Sequence, residues 1–181
     1  MKTARIFILL GVLAAATLAC TLPLPDDGKT TLKDVDEALR AVFEQSGCAA
    51  DPGNDAENLV RVEGQAFSMG CQIGFDHLLG AIMTCYSDET AAKQGFLELA
   101  GESEISPFHD QPHYYASSSR DAGGHRMSSE SFAWQQGIWV VHVYTDNDSG
   151  YAGTPSVEEL AEILYAAGSE NGLLAASACP E

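Results

Sequence analysis

The sequence predicts an α+β domain: an antiparallel sheet with helices packed mainly on one face, in the approximate order αββαβββα. Three observations predict it. The segment SFAWQQGIWVVHVYT reads as two aromatic and β-branched runs meeting at Gly137, which is the signature of a β-hairpin. Apolar residues recur at helical spacing in three separated stretches. Neither a G-x-G-x-x-G turn nor a P-loop supports a parallel nucleotide-binding sheet, so no cofactor is expected.

The first helix is predicted from Thr31 to Gln45. Thr31 and Asp34 stand in the positions of a capping box, Leu32, Val35, Leu39, Val42 and Phe43 form one stripe, and Gly47 stops it. A strand is expected over Leu59–Val62. Residues 64–77 carry three glycines and no clean period, and LLGAIMTCYS then reads as a buried strand. The second helix is expected in SDETAAKQGFLELAG, with Ser87 as N-cap and Ala92, Phe96 and Leu99 on one face.

FHDQPHYYAS is a predicted strand in which Pro112 demands an edge or a bulge. SSSRDAGGHRMSSES has the composition of a mobile loop. After the turn at Gly137, Trp139, Val141 and Val143 alternate with Ile138, Val140 and Tyr144; a strand apolar on both sides is usually central. DNDSGYAGTP is expected as a loop. The last helix begins at Ser156, which forms a capping box with Glu159; Val157, Leu160, Ile163, Leu164 and Ala167 make its stripe, and Gly168 is expected to end it. The passages IMTCYSDETA and VHVYTDNDSG share a strand, a Tyr and an acidic turn, and suggest an internal duplication at about 60 residues.

The N-terminus reads as an address. Lys2 and Arg5 form a positive n-region, and Ile6–Ala16 is an apolar run too short for an ordinary membrane-spanning helix. The following TLAC resembles the lipobox of bacterial lipoproteins. That resemblance implies cleavage before Cys20, a diacylglyceryl group on its sulfur and acylation, commonly by palmitate, at its new amino terminus. Thr17 and Leu18 stand where that family usually has Leu and a small residue, so cleavage near Ala16 or Ala19 to give a secreted soluble protein is the alternative. Residues 1–19 are thus expected as signal peptide, 20–30 as a tether carrying Pro23 and Pro25, and 31–181 as a single domain.

Loss of Lys2 and Arg5 would take the formal charge from −17 to −19. So acidic a chain has no clustered cations for nucleic acid or for anionic lipid, and membrane attachment falls to the lipid on Cys20. The remaining Cys48, Cys71, Cys85 and Cys179 suit two disulfides in an oxidising compartment. Three connectivities are open; one joins Cys48 to Cys179 and Cys71 to Cys85.

Other chemistry is sparse. His109, Asp110 and His113 could ligate a metal only if a turn brings them together, because in an extended chain His109 and His113 lie roughly 13 Å apart. His125 and His142 are further contributors. Asp146 and Asp148 alternate as calcium ligands do, but Gly150 and Val157 depart from the EF-hand pattern. No G-x-S-x-G, H-E-x-x-H or S-x-x-K motif occurs. The sequence therefore favours a non-catalytic binding or interaction module of the cell envelope, its small-molecule or protein partner unknown. A hydrolytic or metal-dependent envelope enzyme using residues 109–142 and a structural envelope component are the alternatives.

Overall fold

In the computed structural model, residues 30–45, 65–73, 77–122, 125–148 and 155–180 are described; the side chains of residues 65, 71–73, 77, 122, 125, 147 and 148 are not. The elements in chain order are α1 (Leu32–Gln45), β1 (Gln65–Ile73), β2 (His77–Cys85), α2 (Glu89–Ala100), β3 (Ile105–Phe108), β4 (Gln111–Ala122), β5 (His125–Gln136), β6 (Trp139–Asp148) and α3 (Val157–Glu170), followed by a 3-10 turn at Leu173–Ala175. The six strands form one sheet in the order β1-β2-β6-β5-β4-β3, antiparallel at every step. The α+β class and the antiparallel sheet are as the sequence predicts.

Two cores divide the protein. On one face, Val35, Leu39, Val42 and Phe43 of α1 and Val157, Leu160 and Leu164 of α3 pack on Phe67, Met83, Trp134, Trp139, Val141 and Val143. On the other face, Ala92, Phe96 and Ala100 of α2 pack on Tyr114, Ala133 and Val140. Helices therefore cover both faces, which corrects the expectation that they lie mainly on one. The reason was present in β6 itself. A central strand apolar on both sides needs cover on both sides, since each exposed methylene forgoes about 0.8 kcal/mol. The paired strand-to-helix passages share this split, because β2 leads to α2 on one face and β6 to α3 on the other.

Local differences have local causes. The strand expected at 59–62 lies outside the described residues, and β1 lies in the glycine-rich stretch. There Phe67 and Met69 alternate inward on an edge strand, too short a run to show a period against Gly64, Gly70 and Gly74. The stretch expected as a mobile loop is the body of the β4–β5 hairpin, paired continuously from His113 with Trp134 to Ala122 with His125. Its serines are held by ladder hydrogen bonds rather than by apolar burial, and composition does not report those. DNDSG likewise does not begin a loop, because Asp146 to Asp148 complete β6.

Helix ends follow side-chain chemistry. Thr31 and Asp34 cap each other, with Thr31 N–H donating to Asp34 Oδ2 at 2.6 Å and Asp34 N–H to Thr31 Oγ1 at 3.4 Å. Asp88, not Ser87, caps α2: its carboxylate accepts from the Ala91 N–H at 2.9 Å, which together with hydrogen bonds from Ser87 and Thr90 holds it below the usual carboxylate range. Leu99, expected on the buried stripe, is 43% exposed, and Ala100 takes its place. Ser156 and Glu159 form the expected reciprocal capping box at 3.2 and 2.8 Å. Gly168 does not end α3. It sits inside the helix, where a Cβ would come within 2.9 Å of Leu174 Cγ, so the glycine lets the 3-10 turn close onto the helix.

Candidate functional site

The candidate metal-ligating histidines do not converge among the described residues. His109 and Asp110 form the two-residue turn between β3 and β4, with φ of 47° and 64°. The His109 ring stacks on Tyr165 of α3 at 4.0 Å, and its Nε2 meets Glu162 Oε2 at 2.7 Å. His113 turns to its own hairpin, where Nδ1–H donates to the Ser106 carbonyl at 2.8 Å and the ring stacks on Phe132 at 4.7 Å. His125 opens β5, and its side chain is not described. His142 lies on the opposite face of the sheet, the one that carries α2. Among the described residues no group of three metal-ligating side chains comes together. A turn does occur at His109 and Asp110, but it is a strand hairpin, and it sends the two histidines to different partners.

Asp146, the other candidate ligand, lies in a strand rather than in a calcium-binding loop. In β6 it accepts from Ser129 Oγ at 3.0 Å and faces Arg120 Nη2 at 3.8 Å. Asp148 ends the same strand opposite Met127, its side chain outside the described set. The cysteines give one firm result, a disulfide between Cys85 and Cys179 with Cα atoms 5.8 Å apart. This excludes the pairing of Cys71 with Cys85 and of Cys48 with Cys179. Cys48 lies outside the described residues, and only the backbone of Cys71, in β1, is described.

Among the described residues, the sheet face that carries α2 is only half covered. Alternation places Leu78, Gly80 and Ile82 of β2, His142, Tyr144 and Asp146 of β6, Ser129 and Ser131 of β5, and Ala116 and Ser118 of β4 on it. Two adjoining hollows result. One, of about 310 Å³, is lined by Leu78, Ala116, Ser118, Ser129, Tyr144 and Asp146. The other, of about 400 Å³, lies against α2 and is lined by Ala66, Ile82, Thr84, Tyr86, Leu99 and Val140. His142 lines both.

At this junction His142 Nε2 and Ser131 Oγ are 2.7 Å apart, and the Tyr114 hydroxyl lies 3.4 Å beyond. Burial lowers the His142 pKa from 6.5 to about 4, so the ring is neutral near pH 7. Tyr86 closes the α2 end. Its ring lies where a Cβ on Gly95 would stand, and burial, with Glu98 nearby, pushes its phenol up. The groove thus offers an apolar floor, serine hydroxyls, a neutral imidazole and the Asp146–Arg120 pair at its end. Such a surface can hold a ligand that is part apolar and part hydrogen-bonding.

Sequence reasoning named His142 only as one of several histidines and missed Ser131, Tyr144 and Gly80. The alternation of HVYT with SFAW carried the signal, because it set His142 and Ser131 on one face once the hairpin register was known.

The fold and groove define an α+β protein with a sheet face left open by the described residues. No protein-family model matches the chain, and no curated protein matches it. A solved structure of a protein from Bacteroides thetaiotaomicron VPI-5482 is similar to part of it, with a TM-score of 0.39 and 14% identity. The match covers 58% of this chain and 38% of that one. A likeness at that level carries no argument about function.

Proposed function

We propose that the protein is an exported, lipid-anchored module of the cell envelope that binds its ligand without catalysis, in the groove centred on His142. Residues 1–19 act as the signal peptide, Cys20 carries the lipid, residues 20–30 form the tether, and residues 31–181 form one binding domain. The observation that carries the reading is the sheet face left half covered by the described residues. Leu78 is 41% exposed there beside Tyr144 and a neutral histidine, apolar surface that a sheet normally hides. The Cys85–Cys179 bond supports export, since such bonds persist in oxidising compartments.

Native mass spectrometry of the protein purified from its host tests the reading. A retained molecule is expected on the native chain and its loss on Leu78→Asp, which alters an exposed side chain outside both cores. An empty native protein, or equal retention by the variant, overturns it. Intact mass should also show diacylglycerol on Cys20; an unmodified terminus elsewhere would leave a secreted soluble module.

One observation favours the enzyme reading, the 2.7 Å contact of Ser131 with His142. It is met by a physical objection. Ser131 lies in mid-strand between β4 and β6, so its N–H belongs to the ladder and is not free to stabilise an oxyanion. A fluorophosphonate probe should leave Ser131 unlabelled. A covalent adduct there would reverse the choice.

A further inference from the structure

His142 uses one ring nitrogen on the protein and keeps the other for the groove. Its Nε2 meets Ser131 Oγ at 2.7 Å, and among the described residues no hydrogen bond joins its Nδ1 to the protein. Nδ1 is also absent from the buried polar atoms that lack a partner, so this nitrogen is open to the hollows that the ring lines.

Tyr114 decides which nitrogen carries the hydrogen. Its side chain is buried among Ala92, Phe96 and Val140, and its hydroxyl reaches one acceptor among the described residues, Ser131 Oγ at 3.4 Å. A phenol hydrogen turned elsewhere would be a buried donor without a partner, at the full cost of its desolvation. Tyr114 therefore donates to Ser131, and the Ser131 hydroxyl donates its own hydrogen to His142 Nε2. Burial keeps the ring neutral near pH 7, and a neutral imidazole that accepts at Nε2 is protonated at Nδ1. The groove thus faces a fixed N–H donor.

The rest of the lining has no place for a charge. Among the described residues no Lys or Arg lines either hollow. Glu130 and Asp146 line the first, but Glu130 accepts from the Tyr115 hydroxyl at 3.3 Å on the other face of the sheet, and Asp146 is engaged by Ser129 and Arg120. No charged residue lines the second hollow, where Ile82, Leu99 and Val140 form apolar walls. An anion would enter against a formal charge of −17, and a cation would give up its water for those walls.

Resting on the groove reading above, we infer that the ligand is uncharged and mainly apolar and carries a carbonyl-type oxygen that accepts from His142 Nδ1–H. Ketones, esters and amides on a hydrocarbon body make up the class. His142 sets the preference: a group that only donates finds no acceptor on Nδ1, and a plain hydrocarbon strips water from the N–H and leaves it unpaired.

The test titrates the full chain in detergent, with free probe fixed by dialysis so that uptake into micelles does not count as binding. Four probes share one shape: butyrophenone, butylbenzene, phenylbutyrate and phenylbutylammonium. Long-range proton–nitrogen spectra should show His142 protonated at Nδ1, and butyrophenone should move that signal. Butyrophenone should also bind about tenfold more tightly than butylbenzene or either ion. His142→Phe keeps a flat ring and removes the donor, so butyrophenone should weaken about tenfold while butylbenzene is unchanged. Should that variant fail to fold, the spectra and the four probes on the native chain decide. A hydrogen on Nε2, an ion or butylbenzene that binds in the groove as tightly as butyrophenone, or undiminished butyrophenone binding by folded His142→Phe would each overturn the ligand class and leave the groove reading standing. Failure of all four to bind overturns the class alone if protein from the host retains a molecule, and both readings if that protein is empty.

Discussion

Tyr144 packs over Gly80 across the β2–β6 pair, its ring in the space that a Cβ on Gly80 would need. The phenol closes over bare backbone in mid-sheet and makes part of the groove floor. Glycine in a strand interior costs conformational entropy, and this close approach accounts for its use here.

Gly80→Ala should therefore expel the Tyr144 ring and destabilise the fold by about 1–3 kcal/mol. Combining it with Tyr144→Ser should cost less than the sum of the two single changes, because the clash is then gone. Urea denaturation of the four proteins measures the coupling; strict additivity would show that the ring is not seated on the glycine.

The pH dependence of stability follows from His142. Its folded pKa, about 4, lies below the unfolded value of 6.5. Above pH 6.5 both states are neutral and the site imposes no penalty. Between 6.5 and 4 the unfolded chain takes the proton first, so stability should fall with pH by about 3 kcal/mol across that window. His142→Gln should flatten this part of the curve, as read by denaturant melts at a series of pH values.

The bond between Cys85 and Cys179 spans 94 residues and fastens the chain end to the close of β2. Replacing both with Ala should cost about 2–5 kcal/mol, largely by freeing the unfolded chain. With this pair joined, Cys48 and Cys71 are left for each other. Denatured, unreduced protein should then expose no thiol to labelling among the four; two labelled sites at 48 and 71 would show that they stay reduced.

Ser156 caps α3 on the larger core. Ser156→Ala should cost about 1 kcal/mol and lower the melting temperature, while Ser87→Ala, beside the true cap Asp88, should leave it nearly unchanged.

Much of the architecture was legible in the chain because it rests on local rules. Thr31 with Asp34 and Ser156 with Glu159 are capping pairs whose partners lie three residues apart. Gly137 turns a hairpin whose strands alternate in plain view. The serine-rich β4–β5 arm was not legible, since its order comes from partners across the sheet. Nor was the disulfide partner of Cys85, which depends on where the chain end returns after α3.

By itself the sequence determined a strongly acidic composition, three helices with the caps of the first and the last, and an antiparallel α+β class. All of these depend on residues within a turn or two of one another. Tertiary structure alone decided that α2 lies on the face opposite α1 and α3, that His109 and His113 part company while His142 meets Ser131, and that the described residues leave half of one sheet face open. Those outcomes depend on strand order and register, which bring together residues ten to ninety positions apart and are set by the packing of the whole rather than by any local pattern.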